Sequence, residues 1–206
     1  MYALVEDNSI TKVFPGPKGF EHNGNQYAPD IFYKWSKAEK EAIGLYEVTT
    51  DSTNYKDEKW YINTNESYAF SNGKVTRSWG TATAKAHADT LWTEQDKTDD
   101  KIPEGKDVGD VAVEGLKTIL IRTLKAQAAG ELKNTDWYIV RKADAGTAVP
   151  SSITTHRAAV RTKCAEMETA ITNAADTPAL ETLYTYTKQE DGSVTRPLGE
   201  LPTLEG

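Results

Sequence analysis

The sequence has a single cysteine, Cys164, in 206 residues. An internal disulfide is therefore impossible, and a cysteine-based zinc cluster is excluded. Histidine is scarce too: His22, His87 and His156 lie far apart, and none stands in a metal spacing such as H-E-x-x-H. There is no phosphate-binding loop, no dinucleotide glycine fingerprint and no nucleophile-elbow serine. No apolar run approaches the length of a membrane span. The opening "MYALVEDNSI" lacks the basic and apolar regions of a signal peptide, so synthesis in a cytoplasm is expected. Positive charge is also in deficit. A formal net charge of -7 gives no global electrostatic reason to seek nucleic acid or an anionic membrane.

What is present is globular in character, with 38% hydrophobic and 27% charged residues. "YALVEDNSITKVF" reads as a hairpin with its polar turn at Glu6 to Ser9. "FPGPKG" ends it, because Pro15 and Pro17 cannot donate to a ladder. In "WSKAEKEAIGLYEV", Ser36 and Glu39 stand at capping-box spacing, Gly44 fits the left-handed position after a short helix, and Leu45 to Val48 starts a strand. "KWYIN" and "SYAFSNGKVTRSW" are aromatic-rich strands, with Asn72-Gly73 as a type I′ turn. Residues 1–80 thus form a β-rich region with one short helix. Residues 81–93 favour a helix, and 94–110, with seven acids against three lysines, read as an exposed acidic linker or long loop. Its acids do not follow the alternating spacing of a calcium loop.

From about Val111 the pattern becomes helical, and residues 111–186 form a helical hairpin domain. Leu116, Ile119, Leu120, Leu124 and Ala128 make one apolar stripe. A second helix, from about Ser152 to Ala175, carries Ile153, Val160, Cys164, Met167, Ile171 and Ala174 on steps of three and four, with Arg157 interrupting the seam. That pattern suits an intramolecular hairpin or packing against another subunit. Thr177 is the expected cap of a last short helix, with Pro178 in its first turn. Residues 187–206 form an extended tail. Leu198, Leu201 and Leu204 recur every third residue, so a polyproline-II conformation would align them on one edge. Such a tail is either a frayed terminus or an arm docked on a neighbour.

Between the helices lies "KNTDWYIVRKADAGTAVP". Taken alone, Trp137 to Val140 reads like a strand; in context it reads as the corner of the hairpin, with Trp137 and Tyr138 closing the end. Asp136 suits a turn, and Arg141 is placed to pair with Asp136 or with a helix C-terminal carbonyl. Arg157 and Arg161, four apart, share a helix face. Trp, Tyr and Arg are also the residue types enriched at binding hot spots, so the corner is a candidate partner-binding site.

This block resembles one near the C-terminus of many tail and baseplate-associated proteins of tailed bacteriophages. The matching positions are Thr135, Asp136, Trp137, Arg141, Pro150, Arg157 and Arg161. The opening "MYALVEDNSITKVF" with "WSKAEKEAIGLYEV" is similar to the start of tail-fibre and baseplate accessory proteins. The two blocks cover about half the chain, and residues 51–110 match neither. The resemblance implies a non-enzymatic structural component of the virion tail that joins fibres to the tail or baseplate. No cofactor and no metal are expected from the missing motifs, while the resemblance implies other tail proteins as partners and a symmetric oligomer, trimers being usual for fibres. Two alternatives stand beside it: a fibre-assembly chaperone absent from the particle, and a host-glycan-binding or glycan-degrading module that would use the aromatic β region, including Trp60 and Trp79.

The expected architecture is α+β: a small β-rich N-terminal part with a short helix, a C-terminal helical hairpin and an extended tail. The candidate partner-binding residues are Asp136, Trp137, Tyr138, Arg141, Arg157, Arg161, Leu198, Leu201 and Leu204.

Overall fold

Asp7 and Asn8 set the first turn. Both take positive φ, 47° and 62°, which short polar side chains tolerate and which matches the twist of paired strands. β1 (Tyr2–Glu6) and β2 (Ser9–Phe14) flank it and pair antiparallel. The computed structural model describes residues 1–204 and has an α+β fold, with strands concentrated in the N-terminal part and helices in the C-terminal part. It divides into two compact units, Met1–Thr83 and the residues from Ala84 onward.

In the first unit a small hairpin follows, β3 (Phe20–His22) and β4 (Asn25–Tyr27), then the short helices α1 (Ile31–Lys34) and α2 (Lys37–Ala42). The expected capping box is present: Ser36 accepts from the Glu39 backbone, and the Glu39 carboxylate accepts from the Ser36 N–H at 2.7 Å. Gly44 takes φ +78°, and a side chain there would meet the Val5 carbonyl. β5 (Leu45–Thr50), β6 (Tyr61–Ile62), β7 (Ser67–Ser71) and β8 (Lys74–Ser78) complete the unit, with Asn72 and Gly73 at φ 49° and 70° in the β7–β8 turn. The main sheet has the order β2-β1-β5-β8-β7, with β5 and β8 parallel.

β1 is buried on both faces, and the period-two geometry of a strand explains how. Leu4 joins Phe14, Phe20, Ile31, Phe32 and Leu45 on one face, while Ala3 and Val5 join Val75, Ile10, Val13 and Phe70 on the other. Ile10 and Val13 are three apart yet share a face. A bulge reconciles this: Leu4 pairs with Lys12 and Val5 with Ile10, so Thr11 is the extra residue that restores the parity.

The second unit begins differently from expectation. Residues 81–93 are not a helix but extended chain with the short strands β9 (Thr83–Ala84) and β10 (Thr90–Leu91). The cause is long-range. The Ala86 and His87 carbonyls accept from the N–H groups of Leu116 and Lys117, and the Asp89 carboxylate accepts from Gly115 N–H at 2.6 Å and Thr118 Oγ1 at 2.8 Å. These are the orphan donors at a helix N-terminus, so the segment caps a helix instead of forming one. Gly115 is required there, since a Cβ would lie 2.3 Å from the Ala88 carbonyl. Of the two readings of the acidic stretch, the long loop is the one that fits, since it lies inside the second unit. It contains α3 (Glu94–Thr98), capped reciprocally by Thr93 and Asp96, and it joins β10 to β11 (Val111–Val113) within the second unit.

α4 (Leu116–Lys133), α5 (Asp136–Ala145), α6 (Ser151–Asn173) and α7 (Thr177–Tyr184) follow. α4 and α6 form the expected intramolecular hairpin. They run antiparallel, because Lys117 at the start of α4 bonds the Thr172 carbonyl and Arg157 near the start of α6 bonds the Leu132 carbonyl. Leu120, Leu124 and Ala128 bury against this partner layer with Ile153, Val160, Met167 and Ile171, each larger side chain contributing about 2 kcal/mol. Cys164 is only half-buried, and burial raises its thiol pKa. The cap of α7 is Asp176, not Thr177: its carboxylate accepts from Ala179 N–H at 2.8 Å. Thr177 instead turns inward and donates to the Lys85 carbonyl at 2.6 Å.

The tail folds back on its own unit. β12 (Thr187–Lys188) and β13 (Val194–Thr195) form a small hairpin, and Leu198 is buried, its N–H bonding the Leu183 carbonyl at 3.0 Å. Gly199 at φ +72° breaks any polyproline-II run, so Leu198, Leu201 and Leu204 do not share one edge. Leu201 is half-buried and Leu204 is exposed.

Candidate partner-docking site

The corner between α4 and α6 is built around a buried arginine. α4 stops at Lys133, and Thr135, at 1% exposure, takes φ -115° and ψ 2°, leaving the helix for one residue before α5 starts. Its hydroxyl donates to the Leu132 carbonyl at 2.9 Å. Arg157 reaches in from the next helix: Nη1 donates to the Leu132 carbonyl and to Thr135 Oγ1, both at 2.7 Å, and lies 2.9 Å from the Asp136 carboxylate. A charge at 7% exposure is tolerated only with partners of this kind. The residue that interrupts the apolar seam of α6 is therefore the residue that fixes the corner.

This corrects the expected roles. Arg157, not Arg141, pairs with Asp136, and Arg157 is buried within its own chain, as Leu198 is, so neither offers a surface to a partner. Arg161 stays exposed, its Nη1 3.4 Å from the Arg157 carbonyl. Arg141 stacks instead, with its guanidinium carbon 4.6 Å from the Trp137 ring centre and 5.4 Å from that of Tyr138. The two rings are themselves 3.9 Å apart between centres. Such cation–ring contacts contribute about 0.5–1 kcal/mol at exposed sites and hold the aromatic pair in one posture.

Trp137 to Val140 is helix, not strand, and the aromatics do not close the hairpin end. Asp136 favours a helix start by its charge, Ala143 and Ala145 favour continuation, and Gly146 at φ +67° ends it in the left-handed conformation. α5 has no buried residue in ten. Trp137 is 52% exposed, Ile139 42% and Val140 65%. Trp137, Val140 and Arg141 lie at i, i+3 and i+4 and share a face. The exposure of Ile139 and Val140 was not apparent from the sequence, where β-branched residues beside Trp suggest burial.

Elsewhere the aromatics of the first unit are mostly covered. Trp60 is 3% exposed, and Trp79 lies half-buried with Arg77 over its ring at 4.4 Å and Tyr55 at 4.7 Å. Among the described residues no group of three or more His, Cys, Asp or Glu could hold a metal ion, and no helix is long and apolar enough to cross a membrane. Compared with family models, curated proteins and solved structures, the chain matches none.

Proposed function

We propose that the chain is a structural connector of a tailed-phage particle, joining a tail or baseplate protein to a fibre through protein–protein contact, and that α5 is its main docking element. The observation that carries the docking role is the exposure of Trp137, Ile139 and Val140 on a helix with no buried residue. Trp137 and Val140 share one face of this helix, and exposed apolar neighbours of that kind mark interaction surfaces. The Thr135–Arg157 lock holds the helix rigidly at its base, and the Arg141 stack orders the rings, so a partner would meet a pre-organised surface at little entropic cost. The assignment to a phage tail rests on the resemblance of the Thr135–Arg161 block and of the chain's opening.

Mass spectrometry of intact virions tests the role. Peptides of this chain in purified particles are the expected result. Their absence, with the chain present in infected cells, would sink the connector reading in favour of an assembly chaperone. Light scattering after size exclusion adds the oligomeric state: a symmetric oligomer is expected, and a stable monomer counts against an obligate symmetric connector.

A further inference from the structure

A cleft of about 550 Å³ lies in the first unit where the β1–β2 turn, the β3–β4 turn and the end of α2 meet. That volume is within the ordinary range of small-molecule sites. Its lining includes Glu6, Asp7, His22, Asn23 and Asn25, and no lysine or arginine. The geometry points to a binding site for a neutral saccharide, in a region separate from the proposed docking helix.

The hydrogen bonds show which groups a ligand would meet. His22 is 8% exposed, and its Nδ1 lies 2.9 Å from Glu6 Oε1. The carboxylate assigns the ring proton to Nδ1, leaving Nε2 to accept from the Asn23 amide nitrogen at 3.1 Å. The Asn25 amide nitrogen donates to the Asn23 backbone carbonyl at 3.3 Å. One N–H of each asparagine amide is thus engaged, and the lining residues still carry the Glu6 and Asp7 carboxylates, the side-chain carbonyls of Asn23 and Asn25 and a second N–H on each amide. An anionic ligand is repelled by two acids with no facing cation. A fitting ligand brings hydroxyl donors and no negative charge.

Tyr27 and Ile43, both half-buried, add apolar lining, and Phe20 stacks on Tyr27 with ring centres 5.2 Å apart. A sugar ring has the matching character, with hydroxyls at its edge and C–H groups on its face. A lysine or arginine tip also carries donors, but it fills only part of 550 Å³ and has no comparable apolar face.

Saturation-transfer NMR on the full chain tests this. The panel is glucose, galactose, mannose, N-acetylglucosamine, sialic acid and N-acetylarginine amide. Transfer to at least one neutral sugar is expected, none to sialic acid, and an affinity about fivefold to tenfold weaker in Asn25→Ala, the loss of one or two hydrogen bonds. If Asn25→Ala disturbs the turn, Asp7→Gly gives the same readout, because it removes the carboxylate and glycine tolerates the positive φ of that position. The proposal is overturned by no transfer to any neutral sugar, by equal affinity in both variants, or by preference for the arginine amide over every sugar.

Discussion

α5 and α6 are consecutive helices that treat their apolar residues in opposite ways. α6 buries Ile153, Val160, Met167 and Ile171 against α4, and it also buries Arg157, which bonds three groups at the corner. α5 carries Trp137, Ile139 and Val140 and buries none of its ten residues. A helix that contributes no side chain to the core can change its surface without unfolding the chain. A helix that fills the core cannot. The difference separates residues that make the fold from residues free to serve a partner.

The largest expected effect attacks the lock. Arg157→Ala removes two hydrogen bonds at the corner and leaves a cavity where a buried side chain stood, so denaturant unfolding should show a loss of about 3 kcal/mol. Arg157→Lys, which keeps the charge but loses the planar fork, should recover part of that. On the other side of the comparison, Trp137→Ala should lower stability by no more than about 1 kcal/mol, the size of its lost stack on Arg141. In a binding titration against the partner it should weaken affinity by about tenfold or more, the size of effect seen for aromatic anchors. Equal stability losses from Arg157→Ala and Trp137→Ala would erase the distinction between the two helices.

A control of intermediate size lies outside both helices. Asp176→Ala removes the cap of α7 and should cost about 1 kcal/mol by thermal unfolding. The smallest effect is one of pH. Hydrogen bonds from the Ser36 hydroxyl and backbone lower the pKa of Glu39 below the ordinary glutamate value of 4.5. The folded value being the lower one, this contribution is present above about 4.5 and is lost as pH falls through the folded pKa. Protection of the Ser36 amide against exchange should fall over that acid window, and in Glu39→Gln, which cannot titrate, the fall should disappear.

Local chemistry was legible in the sequence wherever it was sufficient. The Asp7-Asn8 and Asn72-Gly73 turns, the Ser36–Glu39 box and the α4–α6 pairing all follow from short-range patterns. Residues 81–93 were not legible, because the groups that hold them extended sit on Leu116, Lys117, Gly115 and Thr118, well over twenty positions away. Arg157 looked like a flaw in an apolar seam, since nothing short-range announces that Leu132 and Thr135 need its donors. Trp137 to Val140 misled by propensity: aromatic and β-branched residues favour strands, but the flanking Asp136 and Gly146 set helix boundaries that prevail. The Glu6–His22 pair, sixteen residues apart, has no sequence signature at all.

The clasp of Asp89 on Gly115 has a practical consequence for handling the protein. Between its two ends the chain leaves through β10 and returns through β11, so residues 94–110 form an excursion whose base is held by a ladder and by a carboxylate. Lengthening a loop with pinned ends costs only about 0.6 kcal/mol per doubling. Gly105, at φ +80° with open space where a side chain would be, lies on that excursion. It is therefore a natural place to splice in an affinity peptide or a fluorescent reporter, since it takes no part in the helix packing or in the lock at Arg157.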